Sequence, residues 1–350
     1  MYILEVIDQY LWIAVSSFIL GLSLVLLALR FFPKLKLLDR PHKYGIERKP
    51  IPYYGGIVIY LAFLISVLLF VPLTSTLIGL LIGGTMIFLL GFFDDLLGLS
   101  PFLRLGVQFL AAVVLVAFGV GILSINIPFI GTLVLSEPIV YGVMIASALF
   151  TILWVMVMTN TMNFVDGVSG LTSGIGFIAG MTLFILSVHP GVHMDPSSQV
   201  GVATISLILA MVSLSFFVFD FPKPRILMGD SGSTFLGFLI ATLAIFSGGK
   251  VATAFLVLGI PILDMIWVVL RRIFSGKKFW KGDLKHLHHR LLDLGFSERK
   301  VVVLYLIVTA FFGFAAVSFV SSQQKFFVLI GLVALMLLLA SVLVLIPNKK

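Results

Sequence analysis

Apolar runs of roughly 17–21 residues recur along this chain and leave it few folds to adopt. In hydrocarbon every backbone N–H and C=O must be satisfied within the chain, so runs of this length read as membrane-spanning helices. Eleven can be drawn, at 11–29, 56–73, 77–93, 103–123, 139–158, 168–188, 200–219, 233–247, 251–270, 301–320 and 326–346. The expected fold is an all-α polytopic membrane protein of about eleven transmembrane helices, forming one integral-membrane domain over residues 1–350. A mean hydropathy of +1.20 with 11% charged residues excludes a soluble globule of this length. The longest polar stretches, 30–55 and 271–300, are too short for a second domain, and no repeat is visible.

Charge orients the runs. The first is too long for a signal-peptide core, and the residues before it carry Glu5 and Asp8 but no base, which favours an outside N-terminus. Alternating from there puts 21 of the 23 Lys and Arg inside, with only Lys250 and Lys325 outside, and a cytoplasmic C-terminus. The net charge of +8 thus belongs to the cytoplasmic face, where positive-inside bias and attraction to anionic lipid account for most of it. Charge alone supports no nucleic-acid partner. With no cysteine, disulfides and thiolate metal sites are excluded.

Only 15 residues are acidic, and they gather where apolar runs stop: Asp94-Asp95, Asn160 to Gly167, and Asp230. A carboxylate at a helix centre in hydrocarbon costs about 2.5 kcal/mol or more, so acids at three helix ends suggest metal or proton chemistry. The topology delivers all three motifs to the inside face. Adjacent Asp94 and Asp95 repel, which suits a proton acceptor or a divalent cation; the alternative is a solvated helix C-terminus, where the dipole disfavours negative charge. Asn160, Asn163 and Asp166 are spaced three apart, giving a strip of oxygens on one helix face or ordinary Asn capping before Gly167. Asp230 opens the eighth run as either an N-cap or a cation ligand, and that helix end, with free N–H groups, also suits phosphate.

His286, His288, His289 and Arg290 lie in a basic loop, also inside, and His286 and His289 could share a helix face. Phosphate contact or acid catalysis, zinc, and a solvated loop are the alternatives; the neighbouring carboxylate and amide oxygens suit Mg²⁺ better than zinc. The loop from Asp39 to Pro52 is basic and stiffened by Pro41, Pro50 and Pro52, suiting a polyanionic substrate or simply orienting the chain. Asp264 is an acid within the ninth run, a functional candidate or a partner for Arg271 seven residues on. A transporter also combines many helices with buried acids, but it usually sets its site near the bilayer midplane.

Taken in order, these motifs resemble the polyprenyl-phosphate N-acetylhexosamine-1-phosphate transferases. The resemblance rests on Asp39-Arg40-Pro41 with Pro52 and Gly55-Gly56, Gly91 to Asp95, Asn160 to Gly167, Met228 to Gly232, and His286 to Arg290. It covers nearly the whole chain, and His-Leu-His-His-Arg looks like the N-acetylglucosamine branch. The resemblance implies transfer of sugar-1-phosphate from UDP-GlcNAc to undecaprenyl phosphate, with UMP released and Mg²⁺ (or Mn²⁺ in its place) as cofactor. A translocase acting on a phospho-MurNAc-pentapeptide is the sister activity. By the same resemblance Asp230 and Asn163 would ligate or closely neighbour the metal. Asp94 and Asp95 would act as base or position the lipid phosphate, and His286, His288 and His289 would contact the sugar phosphate. Arg48 and Arg104 would lie near the nucleotide and diphosphate, Asp166 and Gly167 near the uracil, and Asn160 and Arg290 would line the substrate site. The expected location is the bacterial inner membrane with the active site on the cytoplasmic face, and a homodimer is the expected assembly. Leu227 stands where some members carry an aromatic residue against the uracil.

Overall fold

The computed structural model describes residues 2–41, 48–140, 142–189, 196–248, 251–276, 286–319 and 321–345. Positions 42–47 of the basic loop, 277–285 of the second one, His193, Lys250, Lys349 and Lys350 lie outside the described residues.

The chain is built from helices: α1 Tyr2–Phe31, α2 Gly56–Phe70, α3 Ser75–Leu97, α4 Pro101–Ala117, α5 Ile145–Val165, α6 Leu171–Val188, α7 Val200–Asp220, α8 Asp230–Phe246, α9 Val251–Val257, α10 Gly259–Phe274, α11 Leu287–Asp293, α12 Glu298–Ser318 and α13 Ser322–Leu345. Among the described residues six (α1, α3, α5, α6, α7 and α12) are long and apolar enough to cross a membrane, and the pair α9 and α10, bent by 81°, brings the number to seven if it is one broken span rather than a re-entrant loop. Shorter apolar helices cover Gly56–Phe70, Pro101–Ala117, Asp230–Phe246 and Gln323–Leu339. Each of the eleven apolar runs falls on one of these elements, and the protein is a multi-pass membrane protein.

Helix α8 forms the centre. It is buried continuously from Ser231 to Ile245 and packs against α2, α3 and α5. Around it, α6 pairs with α7, α1 with α7, and α12 with α6. Outward faces remain apolar, as at Trp12 and Ile19 on α1 and at Ile307, Phe311 and Phe314 on α12, which suits contact with lipid tails rather than water.

The bundle is all-helical as expected, with two short β-hairpins between α4 and α5: Ser124–Ile127 pairs antiparallel with Gly131–Val134 (β1, β2), and Ile139–Val140 with Val143–Met144 (β3, β4). Two of the expected runs need correction. The second hairpin takes the start of the fifth run, so α5 begins at Ile145 and extends to Val165, which places Asn160 and Asn163 within the helix rather than beyond it. The ninth run is two helices. Pro261 lacks an N–H and crowds the preceding turn, and the bend falls at Leu258, just before it.

Candidate active site

The C-terminal end of α3, the start of α4, the C-terminal end of α5 and the start of α8 meet at one end of the bundle. Ser100 caps α4 and Pro101 opens it, which sets Arg104 one turn in. The Arg104 guanidinium then gathers three oxygens. Its Nη1 lies 2.8 Å from Asp94 Oδ2 and 3.5 Å from Asp230 Oδ2, and its Nη2 donates to Asn163 Oδ1 at 2.9 Å. Asn163 Nδ2 in turn donates to Asp230 Oδ1 at 3.0 Å and to Ser233 Oγ at 3.2 Å. Segments more than a hundred residues apart thus share one charged cluster, as the topology implied.

Neighbouring Asp94 and Asp95 have different partners. Asp94 accepts the Leu99 N–H at 2.7 Å as well as facing Arg104. Asp95 accepts four hydrogen bonds: from Tyr53 Oη at 2.9 Å, the Asp230 N–H at 2.9 Å, the Ser231 N–H at 3.1 Å and Ser231 Oγ at 3.0 Å. It therefore caps α8 from another helix. Asp230 is not the cap, because the N-cap position is Gly229, whose φ of +76° favours glycine. A Cβ there would also lie 2.7 Å from Asp95 Oδ2, and one at Gly91 would lie 2.5 Å from Ser231 Cα. The Gly232 and Ser233 N–H groups point to the Gly229 carbonyl. The first N–H groups of α8 are thus already used, and the free set that would suit phosphate is absent at this helix end.

A cavity of about 810 Å³ opens beside the cluster, lined by Arg40, Arg48, Tyr53, Tyr54, Asp94 and Arg104 among others. Asp95, Asp230 and Leu227 also border it. The size suits a nucleotide-sized ligand. Arg48 reaches it from an ion pair with Asp39 at 2.6 Å, and Asp39 also accepts the Ile51 N–H at 2.8 Å. Burial, and then the Asp95 charge, pushes the Tyr53 hydroxyl above the usual phenol range, so it stays a neutral donor. Tyr54 is shifted the same way by the same causes. Neither tyrosine was expected as a site residue, although both directly precede the Gly55-Gly56 pair; they bring aromatic rings to the cavity that Leu227 does not supply. Asn160 lies one turn along α5 from Asn163, where its Nδ2 donates to Gln108 Oε1 and to the Met156 carbonyl, each at 2.7 Å.

The histidine segment joins from the other side. His286 precedes the short helix α11, so His286 and His289 do not face out together along one longer helix. His286 Nδ1 lies 2.9 Å from Asp264 Oδ2, and Asp264 Oδ1 accepts the Leu287 N–H at 2.9 Å. Asp264 is thus the anchor of the motif, a link that an intramembrane acid plus a distant histidine run only hints at. A Cβ on Gly167 would lie 2.5 Å from His288 Nε2 and 3.3 Å from His289 Nε2, so glycine is what lets α11 seat against the end of α5. His288 is 1% exposed, and neither ring nitrogen has a hydrogen-bond partner among the described residues. Burial first, then His289 and His286, lowers its pKa to about 3, so it is neutral at physiological pH. A ligand would meet His289 and Arg290, both partly exposed, before His288. Asp166, just past α5, is raised well above the usual carboxylate range by burial and then by Asp220.

Among the described residues no three His, Asp or Glu side chains converge as a closed metal site. The donor set still fits a hard divalent ion such as Mg²⁺, which typically takes one or two carboxylates and fills its remaining positions with water and substrate phosphate. Asp94 and Asp230 supply two carboxylates within reach of one cationic nitrogen, and Asn163 an amide oxygen beside them.

The model of glycosyl transferase family 4 matches residues 77–248, which include Asp94, Arg104, Asn163 and Asp230. A probable undecaprenyl-phosphate N-acetylglucosaminyl 1-phosphate transferase of Bacillus subtilis is 28% identical over 98% of this chain and 96% of its own. The decaprenyl-phosphate N-acetylglucosaminephosphotransferase of Mycobacterium leprae is 32% identical over 81% of this chain and 77% of its own. The undecaprenyl-phosphate alpha-N-acetylglucosaminyl 1-phosphate transferase of Escherichia coli K12 is 25% identical over 85% and 80%. With that breadth of similarity and the polar cluster inside the matched segment, the chain belongs to glycosyl transferase family 4, as a membrane enzyme of its polyprenyl-phosphate N-acetylglucosamine-1-phosphate transferase branch.

Proposed function

We propose that the protein transfers N-acetylglucosamine-1-phosphate from UDP-GlcNAc to undecaprenyl phosphate, releasing UMP, at the cytoplasmic face of a bacterial inner membrane. The observation that carries this reading is the ring of Asp94, Asn163 and Asp230 oxygens around Arg104 at the edge of a nucleotide-sized cavity. In the reaction, an oxygen of the lipid phosphate attacks the sugar-bearing phosphorus of UDP-GlcNAc. The bond from that phosphorus to the bridging oxygen breaks, and its electron pair leaves with UMP. The attacking phosphate is already largely dianionic near pH 7, since its second pKa is about 6, so no proton need be removed first. Catalysis then rests on alignment and charge neutralisation.

Each residue has a part in this scheme. Arg104 offers its guanidinium to the diphosphate once substrate competes for it, and Arg48 and Arg40 hold the donor's charge at the cavity mouth. Tyr53 and Tyr54 give the base an aromatic wall. Asp94, Asp230 and Asn163 would hold Mg²⁺, which when bound supplies positive charge to the diphosphate. Asp95, held by four donors, fixes the start of α8 against the end of α3. His289 and Arg290 face the sugar phosphate, on a helix that Asp264 anchors. The same reading carries eleven crossings, with the N-terminus outside and the C-terminus inside, from the 21-to-2 division of basic residues.

The test is UMP release by the purified protein, with undecaprenyl phosphate, Mg²⁺ and donor each withheld in turn. Turnover should need all three. UDP-GlcNAc should be used in preference to UDP-GalNAc or UDP-MurNAc-pentapeptide, and turnover with the pentapeptide donor alone would refute the branch. Cysteine labelling from outside should reach a residue placed at Ser124 but not one at Lys281.

A further inference from the structure

Helices α4 and α5 run antiparallel past one another and meet through two polar rungs. The rung nearer the site is the Arg104 Nη2 bond to Asn163 Oδ1. One turn deeper, four residues on along α4 and three back along α5, two amides face each other. Asn160 Nδ2 donates to Gln108 Oε1 at 2.7 Å, and Gln108 Nε2 donates to Asn160 Oδ1 at 3.4 Å. Gln108 is buried, and beyond it α4 buries Ala111, Ala112 and Leu115. Apolar contacts of that kind set register weakly in a membrane, because lipid tails are as apolar as the side chains themselves. A directional polar pair in an apolar seam does fix register, as a buried asparagine does in a coiled coil. A slip of one residue would carry Arg104 about 1.5 Å along the axis of α4 and turn it off the face it shares with Asn163.

The two rungs differ in what a ligand can take from them. The second Asn160 Nδ2 hydrogen goes to the Met156 carbonyl at 2.7 Å, so that amide has no donor left for a substrate. Arg104, by contrast, holds Asp94, Asp230 and Asn163 from a partly exposed position, where an incoming diphosphate competes for it. When Arg104 changes partners, the upper rung opens and the lower one stays closed. We propose that Gln108, acting through Asn160, is a positioning residue that keeps α4 in register on α5, so that Arg104 stays aimed at the cluster while its guanidinium turns to substrate. The register rests on geometry alone, whereas its use in turnover rests on the function proposed above.

The experiment reads the register first and the ligand second, both in the full chain purified in detergent. The chain has no cysteine, so spin labels can be placed at Phe109→Cys on α4 and Leu149→Cys on α5, both exposed positions. The labelled parent should give one narrow distance between labels, and Gln108→Met should shift or broaden it. Gln108→Asn, which keeps an amide but draws it back by one methylene, should do the same, and an unchanged distribution in either folded variant would overturn the proposal. Calorimetry of UDP binding in Mg²⁺ then tests the route through Arg104. Gln108→Met should weaken UDP binding at least fivefold in the unmodified background, and less than twofold when combined with Arg104→Gln. An equal loss in both backgrounds would mark Gln108 as a general packing residue and overturn the proposal. Failure of the unmodified chain to bind UDP would defeat the proposed function, and the label distances would still decide the register.

Discussion

The carboxylate cluster and the histidine segment lie at the same end of the molecule but are held in different ways. At the cluster, charges from α3, α4, α5 and α8 bind one another directly, and Arg104 sits among Asp94, Asp230 and Asn163. The histidine segment is instead a short helix tethered through the buried acid Asp264 and seated against Gly167. The difference separates two functions. The cluster holds charge, so changes there should act on metal and diphosphate. The tether holds position, so changes there should act on turnover while leaving metal binding alone.

Removing Asp95 is expected to have the largest effect, because it breaks the cluster's frame rather than its charge. Asp95→Ala leaves the Asp230 and Ser231 N–H groups and the Tyr53 and Ser231 hydroxyls without their acceptor. At about 1–3 kcal/mol for an unsatisfied buried donor, a loss of roughly 3 kcal/mol or more is expected, together with loss of activity. Thermal unfolding checks this. Asp95→Asn, which keeps a carbonyl oxygen, should recover part of the stability.

Asp264→Ala tests the tether. It strands the Leu287 N–H and His286 Nδ1, for an expected loss of about 2 kcal/mol. Turnover should fall at least tenfold while the KM for Mg²⁺ holds. Asp264→Asn, which keeps an acceptor for Leu287, should be milder in stability than in turnover. Equal changes in turnover and in metal dependence would merge the two regions into one.

The third effect is on pH dependence. His288 has a folded pKa of about 3, below an ordinary imidazole near 6.5, so the unfolded chain binds the extra proton first as pH falls. Its contribution is therefore whole above about pH 6.5 and is lost as pH drops toward 3, at a slope of at most about 1.4 kcal/mol per pH unit. Denaturant unfolding at pH 7 and pH 5 should show a smaller difference in His288→Phe than in the unmodified chain. The smallest effect is expected at Arg48, whose side chain is 32% exposed in its pair with Asp39. Arg48→Ala should change stability by less than about 1 kcal/mol, and it should raise the KM for the donor several-fold.

Much of this was legible in the residues, for identifiable reasons. Apolar runs locate helices because hydrocarbon forces the backbone to bond to itself, and each of the eleven runs meets a helix or a bent pair. Alternation of the runs placed Asp94, Asn163 and Asp230 at one end, where the structure brings them together. Hydropathy could not separate the apolar β-hairpin at Ile139–Met144 from the helix that follows, so the start of α5 was misplaced by six residues. The bend at Leu258 was hidden for the same reason, with Pro261 as the one available signal. Pairings were harder still. Asp95 caps a helix 135 residues away, and nothing local to Asp95 distinguishes that part from a base. Asp264 and His286 are joined by a fold between them, so the acid read as a functional candidate or a partner for Arg271, not as the anchor of the histidine run.

The division between charge and position is tested most directly by Mn²⁺ binding, with Mn²⁺ standing in for Mg²⁺, followed by electron paramagnetic resonance in the presence of UDP. The unmodified protein should bind saturably. Asp230→Asn and Asp94→Asn should each weaken binding at least tenfold while remaining folded, and Asp264→Asn should bind as the unmodified protein does. Full-strength Mn²⁺ binding by folded Asp230→Asn would contradict the account, because the oxygens around Arg104 would then not be the ones that hold the ion.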